Sequence, residues 1–144
     1  MRIQLRQIQA KGNQRLYFLK KLRSFHMKSQ TLVLFYQSVI QSVLCFCSTV
    51  WFSGLTEQNK KKLARIVSQS SKVTGIPLTK VEEIVKSAAC SKLHIILKDE
   101  SHPFHRELVL NRSGRIRLPK VRTERFRTSF LVWASKCYNS NFVR

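Results

Sequence analysis

Acid is scarce in this sequence, and the scarcity excludes a class of chemistry. Of 144 residues only 7 are Asp or Glu. The single aspartate is Asp99; the glutamates are Glu57, Glu82, Glu83, Glu100, Glu107 and Glu124. Two-metal phosphoryl transfer needs clustered carboxylates around both ions. Only Glu82–Glu83 and Asp99–Glu100 are adjacent, and adjacent residues on a helix do not face one another. Breakers are few as well, with 4 Gly and 3 Pro, which favours long helices over many short strands. The glycines lie scattered at 12, 54, 75 and 114, so no glycine-rich phosphate loop exists. The 4 cysteines, Cys45, Cys47, Cys90 and Cys137, lack a usual zinc spacing. They read as reduced, partly buried thiols of an intracellular protein. Met1–Lys28 has no apolar run of the secretory kind. The chain is therefore expected in the nucleus or cytoplasm and not outside the cell.

What the sequence has in excess is base. Lys and Arg number 27, for a formal net charge of +20. Solubility of a small domain needs a net charge of only about 2–8. An excess of this size repels itself in the compact state, and a polyanion relieves that repulsion by accepting the cations and releasing its counterions. RNA or DNA, gripped non-specifically through phosphates, is the expected partner; an anionic membrane surface is the second candidate. At 43% hydrophobic residues, the chain has enough apolar side chain for a core and too much for a disordered basic tail.

The charge is unevenly placed. Residues 1–28 hold 8 bases and no acid, and residues 29–56 hold no charge at all. Residues 57–100 hold 9 bases and 5 acids, and residues 101–144 hold 10 bases and 2 acids. The first block predicts a helix from about Arg2 to Phe25, with Leu16, Leu19, Leu22 and Phe25 roughly on one face; Gly12 is expected to split or fray it. The uncharged block has 15 apolar residues among the 22 from 31 to 52, a length that can span a bilayer and, on that alternative, would make the chain a small membrane-anchored basic protein. Gln37, Ser38, Gln41, Ser42 and Thr49 recur on one side, however, and such a stripe suits a core helix with one wet face. Lys28 before and Lys60–Lys62 after give no membrane orientation.

Two helices are predicted next. Thr56 caps one carrying Leu63, Ile66, Val67, Ser70 and Val73, stopped by Gly75. Thr79 and Glu82 form a capping box for the other, which carries Val81, Ile84, Val85, Ala88, Ala89, Leu93, Ile96 and Leu97. Beyond it, Ser101 is expected to cap a turn through His102-Pro103-Phe104-His105. Leu108–Leu110, a Ser113-Gly114 turn and Ile116–Leu118 form a possible small hairpin, and a short helix begins at Ser129. The fold class expected is all-α: about four main helices over residues 1–100, with cores centred on Leu19, Val39, Val67 and Ile84, then a basic, partly irregular segment over residues 101–144.

Candidate catalytic groups are weak. His102, His105 and Glu107 have the elements of a non-haem iron site, but the facial triad needs a further distal His, and none follows residue 105. A proline-containing turn is the preferred reading. Cys90 and His94, at i and i+4, can meet on a helix face; a packed thiol is preferred there. No catalytic residue, metal or cofactor is assigned, and the isolated chain is not expected to be an enzyme.

The basic segments are the stronger signal. From Arg106 to Arg127 there are 8 bases and 2 acids, with Phe126 among them. Arginine pairs with phosphate through two parallel hydrogen bonds, and aromatic rings stack on bases. The candidate nucleic-acid contacts are Arg112, Arg115, Arg117, Arg122, Arg125 and Arg127, with Lys60, Lys61 and Lys62 as a second cluster. The plain alternative is a solvated surface, and lysines at a helix start also oppose its dipole.

Several short runs carry resemblances. Gln14-Arg15-Leu16-Tyr17-Phe18-Leu19-Lys20-Lys21-Leu22-Arg23-Ser24-Phe25 resembles a segment after the catalytic core of vertebrate LINE-type reverse transcriptases. So do Phe35–Leu44 with Trp51-Phe52, Lys72–Gly75, Ile96–Pro103, Ser113-Gly114-Arg115, Arg125 and Ser129-Phe130. The resemblance implies a non-catalytic retroelement fragment that helps grip template RNA or target DNA beside the remainder of a polymerase. Gln37 and Gln41 stand where that family usually has acids, and no Tyr-x-Asp-Asp occurs. Residues 1–45 also resemble the N-terminal region of the AlkB homologue 8 family, whose members join an iron/2-oxoglutarate oxygenase to a tRNA methyltransferase. That resemblance implies an accessory segment of an RNA-modifying protein. Neither a complete iron triad nor a glycine-rich S-adenosylmethionine fingerprint is present.

Overall fold

A computed structural model describes residues 2–140, and side chains from residue 5 onward. Its backbone is all-α: among the described residues no strand forms, and β structure is limited to one isolated antiparallel bridge, Leu110↔Ile116. The chain divides into two compact units, Met1–Ser48 with Leu55–Ile84, and Thr49–Gly54 with Val85–Arg144.

In the first unit, helix α1 (Arg2–Ser24) runs straight through Gly12. The expectation that Gly12 breaks it is corrected by packing. A Cβ there would lie 3.0 Å from Ile66 Cδ1 and 3.3 Å from Leu44 Cδ2, so the glycine serves close helix approach. Leu5, Ile8, Leu16 and Leu19 form the buried stripe. Phe25 leaves it: the helix has ended, His26 takes a positive φ of 58°, and the Phe25 ring is 73% exposed.

The uncharged block is not one regular helix. It comprises α2 (Ser29–Phe35), a π-helical segment (Tyr36–Gln41) and α3 (Ser42–Leu44). A turn follows in which Cys47 has φ 48°. The fully buried residues are Leu32, Tyr36, Ile40 and Leu44, spaced by four. At about 100° per residue, four-residue steps drift some 120° over that span of a regular α-helix. The wider π turn accommodates about one extra residue and returns most of that drift, so all four face the core. Burying each leucine stabilises the unit by about 2 kcal/mol. Gln37, Ser38 and Ser42 are exposed, as the wet stripe requires; Ser38 and Ser42 return their hydroxyls to the carbonyls of Leu34 (2.9 Å) and Ser38 (2.6 Å). Thr49, expected on that stripe, is buried beyond the Cys47 turn. Counted as a whole, Ser29–Gly54 is long and apolar enough to cross a membrane, with mean hydropathy 1.6 and 28% of its window buried.

Helix α4 (Ser48–Trp51) and a 3-10 turn (Phe52–Gly54) come next. Helix α5 (Glu57–Thr74) closes the first unit against α1 and α2. The Thr56 hydroxyl accepts from the Asn59 amide at 3.4 Å, and Gly75 ends the helix at φ 75°, as predicted. Leu63, Ile66, Val67 and Ser70 are buried, and the Ser70 hydroxyl is satisfied by the Ile66 carbonyl at 2.9 Å.

Helix α6 (Val81–Lys98) begins one residue later than the Thr79–Glu82 box requires. The Lys80 carbonyl accepts from both Glu83 and Ile84, which makes Lys80 the cap. In the second unit a core of Ala89, Leu93, Ile96, Leu108, Ile116 and Ala134 is flanked by Leu97, Phe130, Leu131, Trp133 and Tyr138. Helices α7 (Glu124–Arg127) and α8 (Phe130–Ser140) complete it. Helix α7 was not foreseen; Thr123 caps it, accepting from Phe126 at 3.3 Å. The predicted Ser113-Gly114 turn is present, with Gly114 at φ 74°. The Arg115 carbonyl accepts from Asn111 and the Val109 carbonyl from Arg117, both at 2.8 Å, so the hairpin is the minimum one bridge allows.

Candidate nucleic-acid interface

The nine predicted contacts divide between the units. Lys60, Lys61 and Lys62 lie in the early turns of α5, within the first unit. Lys60 is paired with Glu57 at 2.7 Å, an exposed pair worth under about 1 kcal/mol; Lys61 and Lys62 are exposed. The six arginines belong to the second unit. Arg112, Arg115 and Arg117 ride on the small hairpin, Arg122 precedes α7, and Arg125 and Arg127 lie on it; all six are exposed. Arg127 pairs with Glu124 at 3.2 Å, with both side chains more than half exposed.

A further acid-free basic element is one the residue counts left unassigned. Helix α1 carries seven bases and no acid along its 23 residues. Its outer face presents Tyr17 (57% exposed) and Phe18 (49% exposed), edge to face with ring centroids 5.8 Å apart. Lys21 Nζ lies 5.8 Å from the Tyr17 ring centroid, within cation–π range. Where α1 meets α5, Gln9, Asn13, Lys62, Arg65, Ile66 and Gln69 line an open cleft of about 470 Å³. A second cleft of about 480 Å³, including Lys11, Val43 and Phe46, opens between α1 and α3; there Arg15 donates Nη1 to the Val39 carbonyl. Of the first cleft's residues, sequence reasoning singled out only Lys62 as a contact. The available signal was the four-residue spacing of Gln9 and Asn13 and the three-residue spacing of Lys62 and Arg65, each pair on one helix face.

The candidate catalytic groups have other occupations. His102 Nδ1 accepts from the Phe104 amide at 3.1 Å, and His105 Nδ1 lies 3.1 Å from the Ile96 carbonyl. Ser101 does not cap that turn; Asp99 does, accepting from the Ser101 amide at 3.0 Å and hydroxyl at 2.6 Å. These bonds from Ser101 hold the Asp99 carboxyl below its usual range. Among the described residues no three of His, Cys, Asp and Glu come together as a metal site. Burial pushes the Cys90 thiol up, away from the thiolate a nucleophile requires, and His94 is exposed.

Comparison with known proteins adds one similarity. The family described as "Alkylated DNA repair protein alkB homolog 8, N-terminal" matches residues 1–42, which span α1, α2 and the π segment. Comparison with curated proteins returns no match, and comparison with solved structures returns none.

Proposed function

We propose that the chain is a non-catalytic, sequence-tolerant nucleic-acid-binding protein whose N-terminal helices act as the accessory segment of an AlkB-homologue-8-like, RNA-modifying protein. One observation carries this reading: α1 lies within the matched segment and bears seven bases without an acid. A helix with that surface is stabilised when phosphate neutralises it. The exposed arginines from Arg112 to Arg127 supply a second run of phosphate donors. Chemistry on the nucleic acid then belongs to a catalytic partner or a further region of the parent protein.

Titration of labelled RNA and DNA oligonucleotides across salt tests the proposal. Affinity falling linearly with the logarithm of salt, with little dependence on sequence, is expected. Absence of binding at low salt, or binding indifferent to salt, overturns it.

A second reading, a retroelement reverse-transcriptase fragment, draws on motifs that continue past the matched segment, such as Lys72-Val73-Thr74-Gly75 and Ile96–Pro103. The reading frame upstream decides between them: a Tyr-x-Asp-Asp polymerase core supports the retroelement origin, and its absence removes it.

A further inference from the structure

We infer that the cleft between α1 and α5, with the aromatic pair beside it on α1, is a binding site for single-stranded nucleic acid. This inference rests on the nucleic-acid reading above and assigns it a place, a strand state and a set of residues. Three features of the first unit converge. The cleft is cationic without compensation: Lys62 and Arg65 line it, no acid does, and among the described residues neither has an ion-pair partner. It also presents amides. Gln9, Asn13 and Gln69 each offer both a donor and an acceptor, which suits the mixed edge of a base. The Gln9 Nε2 atom is buried with no hydrogen-bond partner, a donor whose desolvation a ligand acceptor would offset.

The third feature is register. Gln9, Asn13, Tyr17 and Lys21 follow one another at four-residue spacing, so they form one row of neighbouring side chains that winds around α1 by about 40° per step. The row starts in the cleft with Gln9 and Asn13, winds outward to the exposed Tyr17 beside Phe18, and reaches Lys21 over the Tyr17 ring. From Gln9 to Tyr17 the helix rises about 12 Å, room for about three stacked nucleotides at 3.4 Å each. Lys62 and Arg65 would take phosphates, the amides a base edge, and Tyr17 the face of a neighbouring base. Open rings of this kind engage single strands, because a duplex hides its base faces. An acidic peptide would satisfy the cations and leave the rings and amides without a role.

The test uses the full chain and fluorescence anisotropy with a labelled 12-nucleotide single strand, as RNA and as DNA. A duplex of equal length, heparin and poly-glutamate serve as competitors. Wild type is expected to favour the single strand. Lys62→Gln with Arg65→Gln should weaken binding about tenfold or more and lower the salt slope by about 1.4, for two single-strand phosphates. Tyr17→Ala should weaken binding by about tenfold with the salt slope unchanged, and Tyr17→Phe should retain binding. Circular dichroism confirms that each variant folds, and Lys92→Gln with Lys136→Gln, two exposed lysines outside the cleft and outside the arginine run, serves as a charge-matched control. If wild type binds nucleic acid with the expected salt dependence but the cleft and Tyr17 variants match it, the site is wrong and the general reading stands. Equal competition by duplex or poly-glutamate also overturns the site. If wild type binds no nucleic acid at low salt, the general reading fails and this one with it.

Discussion

The side-chain amide of Asn139 grips both backbone groups of Ile116. Its Oδ1 accepts from the Ile116 N–H at 2.9 Å, and its Nδ2 donates to the Ile116 carbonyl at 2.9 Å. Ile116 is 2% exposed, so water is a poor substitute. The amide completes the edge of a hairpin too small to satisfy itself. Asn139→Leu leaves two backbone groups unpaired and should destabilise the second unit by about 2–4 kcal/mol. Urea unfolding measures the loss, and hydrogen exchange should show the Ile116 amide opening faster. An unchanged midpoint would show that the bonds are replaced by solvent.

Tyr36 presents the opposite case. The side chain is fully buried, and its hydroxyl has no hydrogen-bond partner. Tyr36→Phe should therefore be neutral or stabilise by up to about 1 kcal/mol, read from thermal unfolding. A large loss of stability would mean the hydroxyl is satisfied in solution.

The same residue sets a limit at high pH. Burial first, then the charge of Cys45, pushes the Tyr36 hydroxyl from 10.0 up to about 12. The fold thus favours the neutral phenol. Its contribution is whole below about pH 10 and is lost between about 10 and 12, as the unfolded chain ionises first, at roughly 1.4 kcal/mol per pH unit. Unfolding curves across that window should be shallower in pH for Tyr36→Phe than for wild type; identical pH dependence would remove Tyr36 as the cause.

Gly12 tests the closeness of α1 to α5. Gly12→Ala gains about 1 kcal/mol of helix propensity and loses some of it to the 3.0 Å approach of Ile66 Cδ1, so its net change should be within about 1 kcal/mol. Gly12→Leu cannot be accommodated by a side-chain tip and should cost about 1–3 kcal/mol or more. Equal melting temperatures for Gly12→Leu and wild type would contradict the packing.

Thiol labelling separates the cysteines. Cys47 is exposed and Cys137 buried, while burial raises the Cys45 and Cys90 thiols. Under native conditions at neutral pH, mass spectrometry should find Cys47 alkylated first. Earlier modification of Cys137 would show that α8 opens.

Much of this was legible in the sequence because it is local. Thr56 and Gly75 bound α5 by chemistry that acts within a turn, and Leu63, Ile66 and Val67 mark its buried face by spacing alone. Phe25 was misplaced because a face argument presumes the helix continues, and the backbone turns at His26. The π segment was invisible to a regular period, although the four-residue recurrence of Leu32, Tyr36, Ile40 and Leu44 is its trace. Lys60–Lys62 and the arginines stood out as runs of charge. Gln9, Asn13 and Arg65 did not, since their meeting depends on which faces of two helices, some fifty residues apart in sequence, come together. Asn139 holding Ile116 is a long-range bond of the same kind.

Gly12 has one more implication, for the matched segment of residues 1–42. In this chain that segment is half of a core. A Cβ at Gly12 would meet first Ile66, which lies outside the match, and α1 packs against α5. Residues 1–42 cut from the chain would keep α1 with α2 and the π segment but lose the helix that packs across Gly12. Transplanted elsewhere, the segment must bring α5 with it or find a helix of equivalent shape to lie against.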